Sequence, residues 1–167
     1  MPVLLLDKWY HLYYSGGMIG TAAHAKVIAE WHVNSAWDNA DIPRDFREIG
    51  AGTQRTAYLH VPTGVVYKVG DDACNRYEHA TLTRLRSEGH EHAPVTALHR
   101  VKVTDYTDCA WGMDPQSSYR DVIAMPYLPE DGSVPHDDVW LPGMVDLNPE
   151  NIHAHGGKLW LIDAGGL

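Results

Sequence analysis

The sequence predicts an α+β chain: an antiparallel sheet with one long helix against it, preceded by a helical extension. Three observations carry this expectation. From residue 46 the apolar residues fall into short runs, "FREIGAG", "TAYLHV" and "VVYKVG", separated by glycine-containing turns. The stretch "DACNRYEHATLTRLRSEG", 72–89, is uninterrupted until Gly89 and reads as one helix with that glycine as its stop. Ahead of Pro43, residues 3–14 and 21–37 read as two helices divided by "SGGMIG".

In the second of these helices Thr21 is placed to cap the N-terminus, and Val27, Ile28, Trp31 and Ala36 roughly follow helical spacing. "PTG" at 62–64 is a hairpin turn signal between the second and third strands. On the long helix Tyr77, Leu82 and Leu85 are expected to form the buried face. Two more strands follow, around 96–104 and 119–125, and then a loop, "LPEDGSVPHDDVWLPG", at 128–143. The end of the chain reads as a hairpin: "NIHAH", a turn at Gly156-Gly157, then "KLWLIDA". The natural division is residues 1–45 as an extension packing on the core and 46–167 as the main domain.

Composition narrows the function classes. The chain has 167 residues, 44% of them hydrophobic, enough for one core. A net charge of −9 argues against a phosphate-backbone binding surface, so nucleic acid is not expected as a partner. Cys74 and Cys109 are too few and too far apart for a zinc site and suit buried thiols in a reducing compartment. No apolar stretch approaches bilayer length, and "MPVLLLDKWY" lacks the basic start of a signal peptide, so a soluble cytoplasmic protein is expected. The histidine pairs in "GHEHAP" and "HAH" raise a metal reading, but satisfied or exposed histidines account for them more simply; six tryptophans suit a core or an interface.

The chemistry lies in an order of residues. A Gly-x-Gly turn (Gly50, Gly52) leads to a strand with Lys68, then a helix with Glu78. Two strands end in "AMPYLP", 124–129. "VDLNPENI", 145–152, then offers Asp146 and Asn151, and "KLWLIDAGGL" offers Asp163 after an apolar strand. This order resembles the protein kinase-like superfamily, above all its small aminoglycoside-phosphotransferase-like branches, over residues 46–167. The resemblance implies a kinase-like N-terminal lobe and the following roles. Gly50 and Gly52 would let backbone N–H groups approach phosphates. Lys68 would contact phosphate, held by an ion pair to Glu78; Glu88, at the helix end, is the competing carboxylate. The Pro126 carbonyl and the Leu128 N–H would hold adenine. Asp146 would act on the attacking hydroxyl, and Asn151 and Asp163 would bind Mg²⁺.

The chain departs from that pattern in places. Arg55 stands at the third glycine position of the turn, Met144 at a histidine position, and Ala164 at an aromatic one. Only 17 residues separate Leu128 from Asp146, so the C-terminal lobe is expected to be much reduced. Its apolar hairpin needs a cover, and residues 3–37 are expected to pack beneath it; the alternative is an arm that binds a partner or another subunit. Two functions follow from the resemblance. One is an ATP- and Mg²⁺-dependent phosphotransferase acting on a protein or small molecule. The other is a pseudokinase-like module that grips or inhibits a partner. The small size suits a bacteriophage or mobile element acting on a host protein.

Overall fold

The structure is a computed structural model, and it describes residues 19–38, 41–145 and 148–164. The expected helix at 3–14 lies outside these residues. The described part is α+β: a five-stranded antiparallel sheet, two helices and a separate two-stranded hairpin. Helix α1 is Ala22–Asp38. Strands β1 (Phe46–Ala51), β2 (Arg55–His60) and β3 (Val65–Gly70) form a meander. Helix α2 (Asp72–Ser87) follows, then β4 (Ala97–Asp105) and β5 (Gln116–Pro126), and finally the hairpin β6 (Ile152–His155) and β7 (Lys158–Leu161). The sheet order is β1-β2-β3-β5-β4. Among the described residues no helix is long and apolar enough to cross a membrane.

Strand alternation sorts the sheet into two faces. Tyr58, Val65, Tyr67, Val69, Val101, Val103, Val122 and Ala124 point to one side and pack with Ile19, Ala25, Ile28 and Ala29. Leu59, Val66 and Met125 point to the other and pack with Leu82 and Leu85 of α2 and with Met144, Ile152 and Leu161. The sheet thus has α1 on one face, and α2 with the hairpin on the other.

Local chemistry sets the helix ends. Thr21 Oγ1 accepts the His24 N–H at 3.1 Å, as expected, and the Tyr67 hydroxyl accepts the Thr21 N–H at 3.1 Å, pinning the start of α1 to the sheet. Asp71 caps α2 by accepting the Cys74 N–H at 2.8 Å. Gly89, at φ +87°, closes α2: its N–H donates to Arg86, and the His90 N–H reaches back to the Leu85 carbonyl at 2.9 Å.

Two expectations about faces are corrected. On α1, Val27 is exposed, and Ala25, Ile28 and Ala29 form the buried stripe, because small residues let the helix approach the large Tyr67 and Tyr58 rings. On α2, Tyr77 is exposed, and Cys74, Asn75, Glu78, Thr81, Leu82 and Leu85 face inward. Polar residues on that stripe hid its phase.

The expected place of α1 is also corrected. It does not lie beneath the hairpin but on the opposite face of the sheet. There it also covers the edge strand: Glu30 accepts the Thr104 N–H and Asn34 Nδ2 donates to the Thr104 carbonyl at 2.9 Å. The hairpin is covered by α2 and by the segment 128–145 instead. The Leu161 N–H donates to the His92 carbonyl at 2.9 Å, and His153 and His155 donate to the carbonyls of Leu128 and Pro129. Glu130 accepts the Ala154 N–H at 2.8 Å. Asp131 accepts from Ser133 and from the Gly156 N–H, bonds that hold its carboxyl down at about 2.

Candidate functional site

Between the β1–β2 turn, the end of β5 and the hairpin lies an open cleft of about 460 Å³. Its lining includes Gly50, Gly52, Arg55, Lys68, Pro126, Leu128, Asn151 and Asp163. The structure therefore gathers residues from five separate stretches around one space.

The geometry follows from register. Ala57 pairs with Lys68, and Arg55 pairs with Gly70. Residues 55, 57 and 59 of β2 share a face with 66 and 68 of β3, so Arg55 and Lys68 both point to the α2 side. Gly70, at φ +141°, permits this crossing: a side chain there would run into the Gln54 carbonyl and the Arg55 Cα. Glu78 sits one turn into the buried stripe of α2, fully buried, and points back at the sheet.

The result is a charged network. Lys68 Nζ donates to Glu78 Oε1 at 2.7 Å and to the Ile162 carbonyl at 2.6 Å. Arg55 donates through Nη1 to Glu78 Oε2 and, at 3.2 Å, to Asn75 Oδ1; its Nη2 donates to Asp163 Oδ1 at 2.7 Å. Lys68 is 4.0 Å from that same Asp163 oxygen. Glu78 also accepts the Ala164 N–H at 3.3 Å. Two cations and two carboxylates thus pair with one another, three of them buried and Asp163 partly open to water. Burial by itself would lower the Arg55 guanidinium's pKa; Glu78 and Asp163 more than offset this and hold it above its ordinary value. Burial pushes the Cys74 thiol up, and Asp71 adds to the effect, so this cysteine is an unreactive core residue rather than a nucleophile.

The expected ion pair of Lys68 is with Glu78; Glu88 instead binds Arg84 one turn earlier, at 2.9 Å on the surface. Pro126 and Leu128 border the cleft on the β5 side, where the Tyr127 N–H donates to the Gly64 carbonyl. Gly50 and Gly52 border it on the turn side, and a methyl at Gly50 would meet nothing within 4 Å. That glycine is not required by crowding; its effect is to leave the backbone open to the cleft. Asn151 and Asp163 come together because the Asn151 carbonyl accepts the N–H groups of Ile162, at 2.9 Å, and of Asp163. Both supply oxygen donors of the kind a hard cation such as Mg²⁺ takes. The donor chemistry fits, although Asp163 Oδ1 is already engaged by Arg55. Asp146 lies outside the described residues. Among the described residues no three His, Cys, Asp or Glu side chains group to hold a metal ion.

Sequence reasoning missed Asn75, which ties the network to the sheet: its Nδ2 donates to the carbonyls of Lys68 and Asp121 at 3.0 and 2.7 Å. It also treated Arg55 only as a missing glycine. Strand parity in "RTAYLH" was the available signal, since it places Arg55 on the face of Ala57 and Leu59. Comparison of the chain with protein-family models, curated proteins and solved structures returned no match.

Proposed function

We propose that this chain binds ATP in the cleft and acts as a small kinase-like phosphotransferase, passing the γ-phosphoryl group to a hydroxyl of a protein or small molecule. The observation that supports the reading most is Lys68. Its ammonium is oriented by Glu78 from α2 and by the Ile162 carbonyl, one residue before Asp163. A lysine held in this way presents positive charge where polyphosphate would lie, between a glycine turn and a carboxylate.

In this reading the adenine lies against the segment 125–128, where backbone groups supply its hydrogen bonds. The phosphates run under Gly50 and Gly52 toward Lys68. Bound Mg²⁺ would neutralise phosphate oxygens, with Asn151 and Asp163 as its ligands. The acceptor hydroxyl attacks the γ-phosphorus, the bond to the bridging oxygen of ADP breaks, and the proton passes to Asp146.

Binding and transfer are separable. Isothermal titration should show that Lys68→Met weakens ATP about tenfold or more while adenosine affinity stays near that of the parent. Asp146→Asn should leave ATP affinity in place and cut transfer from γ-labelled ATP by about 10²-fold. Equal ATP binding by the parent and the Lys68 variant would show that the site has been misassigned.

The Arg55–Asp163 ion pair favours a second reading, a pseudokinase-like binder, because it occupies the oxygen that catalysis would need. A parent that binds ATP yet labels nothing in a lysate, while Asp146→Asn keeps its biological effect, would select that reading.

A further inference from the structure

We propose that the outer edge of β4 is a docking site for an extended, acidic segment of a protein partner, which adds to the five-stranded sheet as a further strand along residues 98–102. None of these residues lines the cleft, so the proposal stands apart from the nucleotide reading.

The sheet order puts β4 at an edge. Two observations show which of its backbone groups face outward. The Thr104 N–H donates to Glu30, and its carbonyl accepts from Asn34 Nδ2; both partners belong to α1, so Thr104 points away from β5. On β5 the Asp121 N–H donates to Asp72 Oδ1 at 2.9 Å, and its carbonyl accepts from Asn75 Nδ2 at 2.7 Å, both on the side away from β4. Asp121 and its partner Arg100 therefore exchange no ladder bonds. The two observations agree, because bonded and open pairs alternate in an antiparallel ladder and β4 runs against β5 without a shift from Ala97 to Asp105. Leu98, Arg100 and Lys102 thus turn their N–H and C=O groups outward. Glu30 and Asn34 close the edge at Thr104, and no described residue closes it at the other three.

Side chains decide what can add there. Arg100 and Lys102 are exposed, two residues apart, and so on one face of the sheet. Tyr119 lies beside them, its ring centroid 5.3 Å from the Arg100 guanidinium. Arg76 of α2 pairs with Asp121, and Arg120 lies 3.7 Å from Asp72. Arg100 shares Asp121 only at 3.9 Å, and its side chain is 67% exposed. Positive charge is thus left over on this edge, in a chain whose net charge is −9. Glu30, at the Thr104 end, repels an acidic segment that runs further and so limits its register.

A second copy of β4 is a poor occupant. It would set Arg100 and Lys102 against the same two side chains, and like charges across a strand pair destabilise it. An extended segment with carboxylates at alternate positions gains twice. Its backbone takes the open N–H and C=O groups, and its acidic side chains stand across from Arg100 and Lys102.

The test uses the full chain with two fluorescein-labelled peptides, Thr-Glu-Val-Glu-Val and Thr-Lys-Val-Lys-Val, followed by anisotropy. The parent should bind the glutamate peptide about tenfold or more tightly than the lysine peptide, with affinity falling as salt rises. Arg100→Glu/Lys102→Glu should reverse the preference. Lys102→Pro should lose about tenfold or more, and Lys102→Gln less, because both remove the charge but only proline removes the outward N–H; that N–H is outside the ladder with β5, so the sheet keeps its bonds. Amide hydrogen exchange at Leu98, Arg100 and Lys102 should slow when the glutamate peptide binds the parent. Circular dichroism checks folding, and the charge reversal, on exposed side chains, decides the matter should the proline variant unfold. A parent that does not bind the glutamate peptide, or binds both peptides equally, would overturn the acidic partner, as would a preference that survives the charge reversal. Binding without protection of those three amides would overturn strand addition. A dimer in sedimentation that Lys102→Pro abolishes would overturn the proposal by assigning the edge to a second copy.

Discussion

The two faces of the sheet are built from the same strands, residue by alternate residue, and they solve opposite problems. The α1 face carries Val65, Tyr67, Val69, Val101 and Val122, and it is sealed by a helix that presents alanines and Ile28. Its polar groups include paired rings: His24 stacks on His60 with centroids 4.0 Å apart, and His32 Nδ1 lies 2.6 Å from the Tyr58 hydroxyl. The α2 face carries Lys68 and Arg55 at the positions in between, and buries them against Glu78. One face is held by apolar contact, which tolerates water-free packing at no electrostatic cost. The other holds charges whose desolvation is offset by mutual pairing.

The sharpest way to break the contrast is to remove the anion at its centre. Glu78→Ala would leave Arg55 and Lys68 in a buried site with their shared carboxylate gone. Urea denaturation should show a loss of about 3–5 kcal/mol, a large part of a typical domain's stability. A loss below about 1 kcal/mol would mean that the network is solvated enough to be ordinary surface, and the two faces would then differ little.

A smaller effect should come from the other face. Ile28 is fully buried against the sheet, so Ile28→Ala should cost about 2–4 kcal/mol. Under the nucleotide-site proposal, the folded variant should bind ATP within about twofold of the parent, since the substitution lies across the sheet from the cleft. A marked change in affinity would show that the two faces are coupled through the strands.

The smallest expected effect is in pH dependence, and it also distinguishes the faces. Burial lowers the pKa of His60, with His24 adding to it, and burial lowers that of His32, with Arg120 adding to it. Both belong to the α1 face. Their neutral rings contribute stability that is whole above about pH 6.5 and is lost as the pH falls through the lowered folded values. The melting temperature should therefore fall on acidification below that point, and His32→Gln/His60→Gln should flatten the fall. An undiminished fall in the double variant would assign the sensitivity to His79 and His92, whose pKa values burial also lowers, on the other side of the sheet.

How much of this was legible in the residues depended on the range of the interaction involved. The strands, the turn at 62–64, Thr21 as a cap and Gly89 as a stop are decided by neighbours a few residues away, and each was found where expected. The Lys68–Glu78 pair spans ten positions within one strand–helix unit and could be read as well. The phase of α2 could not, because its buried stripe contains Asn75, Glu78 and Thr81, which look like surface residues until their partners are known. The cover of the hairpin was misjudged for a similar reason. The loop 128–145 holds it through backbone carbonyls, Glu130 and a few scattered apolar side chains such as Met144, Val139 and Leu141, which follow no regular period in the sequence.

By itself, then, the sequence determined the element order, the antiparallel meander, and a set of oxygen and nitrogen donors spaced for one site, because those depend on local backbone preference and alternation. Only the tertiary structure decided which face α1 would take, and that Arg55 would reach Asp163 from 108 residues away to lie between two carboxylates. The physical reason is that a buried charge goes where its partners are, and those partners are brought together by packing of the whole sheet rather than by anything written beside the residue in the chain.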